Sequence, residues 1–383
     1  MHKQSLKVFI SAGETSGDLH AAAVIQALKV QVSYDADIEI SGIAGAMMKA
    51  QGCSPICDIS ELNVMGIGDV IKALPRIRRV GKHVVAWAER EKPDVAILVD
   101  FPGFNMRLGE QLKALGIPVL YYIAPKLWAW GHWRVKRLQR AQDKLACILP
   151  FEPAWFSNQG IDSTYVGNPS AVSCQSGWSK SELREHLGVS EHTKILALLP
   201  GSRKSELKNH AALLANAYKK VLQQHPDIQA VTSRAPGISD EQLKPLLDVG
   251  VKVLDRLDEH YALRADAAIA VSGTATLELA LWDVPTVLVY KSSPLMIWIA
   301  RKLVGTRCAG LANIILDDKP VMPELIQEQA SLEAIVKHIL PLLEGDREAE
   351  LQHQAFIELQ HRLDDHHPSH TVADMALSMV KKN

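Results

Sequence analysis

Four stretches of this chain carry residue types that could do chemistry together. In AGETSGD, residues 12 to 18, Glu14 and Asp18 sit beside two glycines, a composition that suits sugar hydroxyls or proton transfer. Asp100 ends the apolar run Val95 to Val99. The carboxyl end of a buried parallel strand is where a catalytic base is expected. In ILALLPGSRKSE, residues 195 to 206, another apolar run enters a Pro-Gly-Ser-Arg turn ahead of a helical period. The backbone N–H groups around Gly201 and Ser202, a helix N-terminus and the guanidinium of Arg203 would together make an anion cradle. A second turn of the same kind follows Ala267 to Val271, with Ser272, Gly273 and Thr274 at a helix start and Glu278 one turn in, within reach of a ribose-like hydroxyl pair. Two such turns in one half, with no Walker lysine, point to a nucleoside diphosphate held without a P-loop. Plainer readings stand beside these: Asp18 as an N-cap, Glu14 as a solvated loop residue, Asp100 as a turn former, and the first cradle as an ordinary strand-to-helix turn.

Positioning such groups requires parallel strands that alternate with helices. Apolar runs predict strands at Lys7 to Ser11, Ile38 to Ile43, Val95 to Val99 and Val119 to Ile123, then at Ile195 to Leu199, Ile228 to Thr232, Val251 to Leu254 and Ala267 to Val271. Helical periods predict helices over Leu19 to Lys29, Glu206 to Gln224, Leu332 to Leu343 and Arg347 to Leu363. The pattern is a doubly wound α/β fold repeated twice. It lacks G-x-G-x-x-G, so it is not a dinucleotide fingerprint. A Gly, Pro and Ser-rich stretch from Gly167 to Lys180 marks the boundary.

The segment Val64 to Leu74 carries Val64, Met65, Ile67, Val70, Ile71 and Leu74, and Arg76, Arg78, Arg79 and Lys82 follow. Apolar beside basic suits either a segment lying on an anionic membrane or a core-facing helix with a solvated basic stretch behind it. Trp128 and Trp130, close together ahead of Arg134, Lys136 and Arg137, could stack on a sugar, touch lipid or fill a domain edge.

At 383 residues the chain is long enough for two cores. A formal net charge of -1 gives no bulk attraction to a polyanion, so no nucleic-acid partner is expected. The 5 cysteines are odd in number and lack zinc spacing, which reads as reduced thiols with no metal and no cofactor. The first apolar stretch, Val8 to Ile10, is too short for a signal peptide or a membrane span, and a cytoplasmic location is expected. His361, His366, His367 and His370 show no ordered ligand spacing and read as a solvated tail.

These motifs, taken in order, resemble the lipid-A-disaccharide synthases, a family of inverting glycosyltransferases. The stretches that match are AGETSGD, ELNVMGIGDV (61 to 70), VDFPGFN (99 to 105), PKLWAW (125 to 130), LPFEPAW (149 to 155), LLPGSRKSE (198 to 206), SGTATLE (272 to 278), LANIIL (311 to 316) and PELIQ (323 to 327). The resemblance implies a GT-B fold of two Rossmann-like doubly wound domains, residues 1–168 and 169–346, with residues 347–383 packing back on the first. It implies UDP-2,3-diacylglucosamine as donor and 2,3-diacylglucosamine 1-phosphate as acceptor, joined as a β-1,6 disaccharide at the inner face of the cytoplasmic membrane. By position, Asp100 would be the base, with Glu14 beside it. Ser16, Asp18, Asn105, Trp128 and Trp130 would serve the acceptor. Gly201, Ser202, Arg203, Ser272, Gly273, Thr274, Glu278, Asn313 and Glu324 would hold the UDP-sugar, and the apolar residues of 64 to 74 would face the membrane. The family also includes a domain-swapped homodimer. Gly103, Gly131 and Asn168 depart from the expected pattern, where Asp, Arg and His are frequent. The competing readings are another GT-B enzyme acting on UDP-N-acetylglucosamine and a non-catalytic nucleotide-sugar sensor.

Overall fold

The computed structural model describes residues 5–32, 37–62, 67–175, 177–235, 237–255, 263–293, 305–363 and 367–380, with the side chains of 67–72 outside that description. Val64 and Met65 therefore lie outside the described residues, as do the side chains of Ile67, Val70 and Ile71 and the whole of His366. Two compact units form, one of Met1–Pro169 with Asp365–Asn383 and one of Ser170–Asp364.

The first unit is built on β1 (Leu6–Ser11), β2 (Ile38–Ala44), β3 (Ser54–Asp58), β4 (Val95–Val99), β5 (Val119–Tyr122), β6 (Lys144–Cys147) and β7 (Ser163–Tyr165). They pair in the order β3-β2-β1-β4-β5-β6-β7, every pair parallel. Alternate residues enter two different cores, Val8, Ile10, Val95, Ile97 and Val99 on one face and Phe9, Ala96, Leu98 and Tyr121 on the other. Burial on both faces is why these strands read as unbroken apolar runs. The strand order reverses between β1 and β4, and ligands of open α/β sheets gather at that switch point. The covering helices are α1 (Thr15–Gln31), α2 (Ala46–Ala50), α3 (Ile67–Glu91), α4 (Pro102–Ala114), α5 (Val135–Ala141) and α6 (Glu152–Ser157).

The second unit repeats the plan with β8 (Ile195–Leu199), β9 (Gln229–Arg234), β10 (Lys252–Asp255), β11 (Ala267–Val271), β12 (Thr286–Tyr290) and β13 (Glu324–Ile326), ordered β10-β9-β8-β11-β12-β13. Its pairs are parallel too, and its switch point lies between β8 and β11. Its helices are α7 (Pro169–Ser173), α8 (Lys180–Leu187), α9 (Lys204–Leu222), α10 (Asp240–Leu247), α11 (Thr274–Leu281), α12 (Leu311–Ile315), α13 (Leu332–Glu344) and α14 (Arg347–Leu363). The expected pair of Rossmann-like units is thus present.

Three expectations need correction. The basic stretch after Leu74 is exposed, as expected, but it does not follow a helix: it lies inside α3, which runs through Pro75 to Glu91. Pro75 forfeits one backbone hydrogen bond and the helix continues past it. The tail histidines His361, His367 and His370 are exposed, as expected, but the tail also forms a helix, α15 (Pro368–Met379), that packs on α1 with Val372, Ala373 and Ala376 fully buried. Residues 347–383 also do not all join the first unit, since α14 packs on α11 and α13 of the second and only α15 belongs to the first. All five cysteines are buried free thiols.

Candidate active site

At the switch point of the first sheet, β4 ends and the chain turns sharply. Asp100 and Phe101 both take left-handed backbone angles, φ 46 and φ 48, a conformation that costs a non-glycine residue about 1–2 kcal/mol. Three bonds hold the turn. The Asp100 N–H donates to Tyr122 O (2.8 Å), while Tyr121 OH (2.7 Å) and Asn105 Nδ2 (2.9 Å) both donate to Asp100 O. Strain that the surroundings over-determine is characteristic of active sites. Here it holds the backbone of the one acid at the tip of β4.

The AGE loop after β1 closes on this turn. A Cβ on Gly13 would stand 2.1 Å from Phe101 Cγ, so only glycine lets the loop lie so close. Glu14 is thereby brought within electrostatic range of Asp100. Burial first, then the Glu14 charge, raise the Asp100 carboxyl to about 6, with Lys126 and the Phe101 N–H opposing them. A carboxylate so raised is mostly ionised at neutral pH yet far more basic than an exposed one.

Several residues assigned to substrate have polar atoms bonded within the fold. Asp18 is 1 % exposed, and both its oxygens are taken by the N–H groups of Gly45 (2.8 Å), Met47 (2.9 Å) and Met48 (3.2 Å), which caps α2. Asn105 is fully buried. Its Nδ2 donates to Val99 O and Asp100 O, and its Oδ1 accepts from Ser11 Oγ. Trp128 is buried with Nε1 on Glu152 Oε1 (2.9 Å) and its ring edge-on to Phe151. Ser16, in the first turn of α1, and Trp130 remain exposed to a ligand. Asn105→Ala should destabilise the chain by about 1–3 kcal/mol, because it orphans the buried Ser11 hydroxyl and loosens two carbonyls. Urea denaturation checks this, and an unchanged midpoint would show that Asn105 does not hold the turn.

Sequence reasoning did not single out Glu152. It is 1 % exposed and accepts from Trp128 Nε1, Ile148 N (3.2 Å) and Leu149 N (3.1 Å), and burial raises it to about 7. Lys126 carries its charge near both Glu152 and Asp100. An acid inside LPFEPAW, among apolar neighbours, was the available signal.

In the second unit, the turns after β8 and β11 line one cavity of about 180 Å³, shared by Gly201, Ser202, Arg203, Glu206, Ser233, Ser272, Gly273 and Thr274. The two cradles differ. Ser202 N–H (2.9 Å) and Arg203 N–H (3.2 Å) already donate to Glu206 Oε2, and Gly201, at φ 108, packs on that carboxylate. The α9 N-terminus is therefore satisfied by its own first turn, and the Arg203 side chain, 80% exposed, is what this turn offers a ligand. The N-terminus of α11 has Gly273 as its cap and no side-chain cap bond; the Thr276 N–H turns back to Gly273 O (3.2 Å), and Thr274 is exposed.

Asn313 and Glu324 are likewise bonded within the fold. Asn313 is fully buried, bonded to both backbone groups of Met322 and to Glu324 Oε1. Glu324 accepts from Ala309 N (2.8 Å) and Gly310 N (2.9 Å), and Ser272 Oγ donates to Ala309 O (2.9 Å). The segment entering α12 is thus tied to the α11 turn. Glu278, half-buried one turn into α11, is not among the cavity's lining residues. Among the described residues no cluster of His, Cys, Asp or Glu stands ready to hold a metal, and no helix is long and apolar enough to cross a membrane.

Comparison with known proteins places this geometry. The family model described as lipid-A-disaccharide synthetase matches residues 8–375. The lipid-A-disaccharide synthase of Myxococcus xanthus is 36% identical over 378 residues, covering 98% of this chain and 97% of its own. That of Nitrosococcus oceani is 36% identical over 385 residues, covering 100% and 98%. Among solved structures, Acinetobacter baumannii MurG superposes with a TM-score of 0.60 at 16% identity, covering 98% of this chain and 100% of that one. A putative UDP-N-acetylglucosamine 2-epimerase from Listeria monocytogenes gives 0.64 at 13%, covering 98% and 95%. At such identities these last two speak for the GT-B fold alone.

Proposed function

The chain belongs to the lipid-A-disaccharide synthase family of glycosyltransferases, and from that premise we propose that it transfers 2,3-diacylglucosamine from UDP to the 6-hydroxyl of 2,3-diacylglucosamine 1-phosphate, with Asp100 as the base. The observation that supports this assignment is the strained, bonded turn that presents a carboxyl of raised proton affinity at the sheet's switch point. Asp100 takes the proton as the acceptor oxygen bonds to the anomeric carbon from the face opposite UDP. The bond from that carbon to the diphosphate oxygen breaks, and its electron pair leaves with UDP. The developing charge is met by the first amides of α11, the hydroxyl of Thr274 and the guanidinium of Arg203.

Arg203→Ala should weaken UDP binding by about tenfold or more, the loss of one charge-assisted contact, as read by calorimetry. Unchanged affinity would remove Arg203 from the diphosphate site. The acyl chains of both substrates belong to a bilayer, and exposed Trp130 and Trp133 are the described residues we assign to it.

The overall reading is tested by incubating the protein with UDP-2,3-diacylglucosamine and the monosaccharide 1-phosphate and weighing the products. Disaccharide and UDP in equal amounts support it. Efficient turnover of unacylated UDP-N-acetylglucosamine with no disaccharide would favour a different GT-B chemistry.

A further inference from the structure

A second cavity, of about 550 Å³, lies in the first unit between α3 and α4. Its walls are apolar: Leu62, Leu74 and Ile77 from one side, Phe101, Phe104 and Leu108 from the other. That volume lies in the range of sites that enclose most of a small ligand's surface. Arg78, Lys82 and Arg107 also line it, all three are exposed, and none has an ion-pair partner among the described residues. Arg78 and Lys82 stand one helical turn apart on α3, and Arg107 faces them from α4. Like charges gathered at one opening repel one another, and an anion relieves that repulsion. Glu14 is the one acid among the described lining residues, and its charge is felt by Asp100.

Apolar walls, a basic opening and a catalytic carboxylate within reach define an amphiphile with an anionic head. We infer that this cavity seats an acyl chain of the acceptor while Arg78, Lys82 and Arg107 hold its phosphate monoester, so that the acceptor's free hydroxyl is presented to Glu14 and Asp100. The inference rests on the disaccharide-forming reading and adds to it how the acceptor is recognised and oriented. A phosphate held at one end of a rigid sugar fixes which hydroxyl reaches the base, since the chain, the head and the reacting oxygen then occupy three separate points. Donor and acceptor are told apart in the same way: only the acceptor offers a phosphate monoester for two arginines and a lysine to grip.

Gly81 supplies a variant that fills the cavity without removing a charge. A Cβ there would meet Phe104 Cε2 at 3.6 Å, ordinary contact, so a longer side chain must project into the space an acyl chain would take. Leucine is also a better helix former than glycine, so folding is not put at risk.

The test uses calorimetry on the full chain with dodecyl phosphate and the uncharged dodecyl glucoside, both as monomers, alongside turnover with the two substrates. Gly81→Leu should weaken both amphiphiles about tenfold. The double change Arg78→Gln with Arg107→Gln should weaken dodecyl phosphate about tenfold, leave dodecyl glucoside unmoved, and raise the acceptor KM but not the donor KM. Dodecyl phosphate binding that survives the double change overturns the inference. So does a double variant that loses affinity only for phosphatidylglycerol vesicles, which would make the cluster a membrane contact, or a Gly81→Leu chain that binds both amphiphiles as before. Binding that changes as stated in a protein that forms no disaccharide leaves this site standing and defeats the proposed reaction. Disaccharide formed by a protein whose amphiphile binding ignores all three changes does the reverse.

Discussion

Asp100→Asn is expected to lower kcat for disaccharide formation by about 100- to 10,000-fold, the range a positioned general base supplies, while UDP binds as tightly as before. The split follows from where the groups lie. Asp100 belongs to the first unit, and the cavity assigned to UDP is lined entirely by residues of the second. Asparagine also keeps the shape of the turn, since the bonds that hold it run to the backbone of Asp100 and not to its carboxylate. A loss of UDP affinity equal to the loss of rate would mean that the substitution had disturbed more than proton transfer. Titration of UDP by calorimetry, with kcat measured on the same preparation, separates the two.

Glu152→Ala should be the most destabilising single change considered, by about 3–5 kcal/mol near pH 6, because it leaves buried donors unpaired and opens a cavity. Trp128 Nε1 and the N–H groups of Ile148 and Leu149 all lose their acceptor at once. The deficit depends on pH, and its sign is fixed by burial. Glu152 holds its proton up to about 7 in the folded chain, against 4.5 for an ordinary glutamate. The folded state therefore binds the proton more tightly than the unfolded one, and the wild type loses stability as pH rises from about 4.5 through about 7. Asp100 adds a loss of the same sign up to about 6. The Glu152→Ala chain lacks the first of these losses, so its urea midpoint should approach that of the wild type between pH 6 and pH 8. A gap that widens over that range would mean that Glu152 is not held protonated by burial.

Much of this architecture was legible in the residues because its central strands are buried on both faces. Val95–Val99, Ile195–Leu199 and Ala267–Val271 lie where their apolar runs put them, and the groups at their tips follow from that alone. What escaped was the division of labour among polar residues. Asp18, Asn105, Asn313 and Glu324 have the types expected of ligands, yet each has polar atoms bonded to backbone or to another side chain of the fold, which the sequence around it does not announce. Glu206 escaped differently. Its reach back to the turn is a local capping pattern, visible in PGSRKSE, that competes with the very anion the turn was expected to hold. Of the two tryptophans, nothing local said that Trp128 would turn inward to Glu152 while Trp130 stayed 48% exposed. The tail helix was missed because Val372, Ala373 and Ala376 are too small to give a strong periodic signal.

The account's central claim is that the turn at Asp100 presents a base whose proton affinity has been raised by burial and by Glu14. Single-turnover disaccharide formation, measured across pH 4.5 to 8 with saturating substrates, tests it most directly. The claim predicts a rate that climbs with pH and levels off above an apparent pKa near 6, with the climb absent from the residual activity of Asp100→Asn. A rate that is flat across that range, or one that climbs identically in the variant, would contradict it.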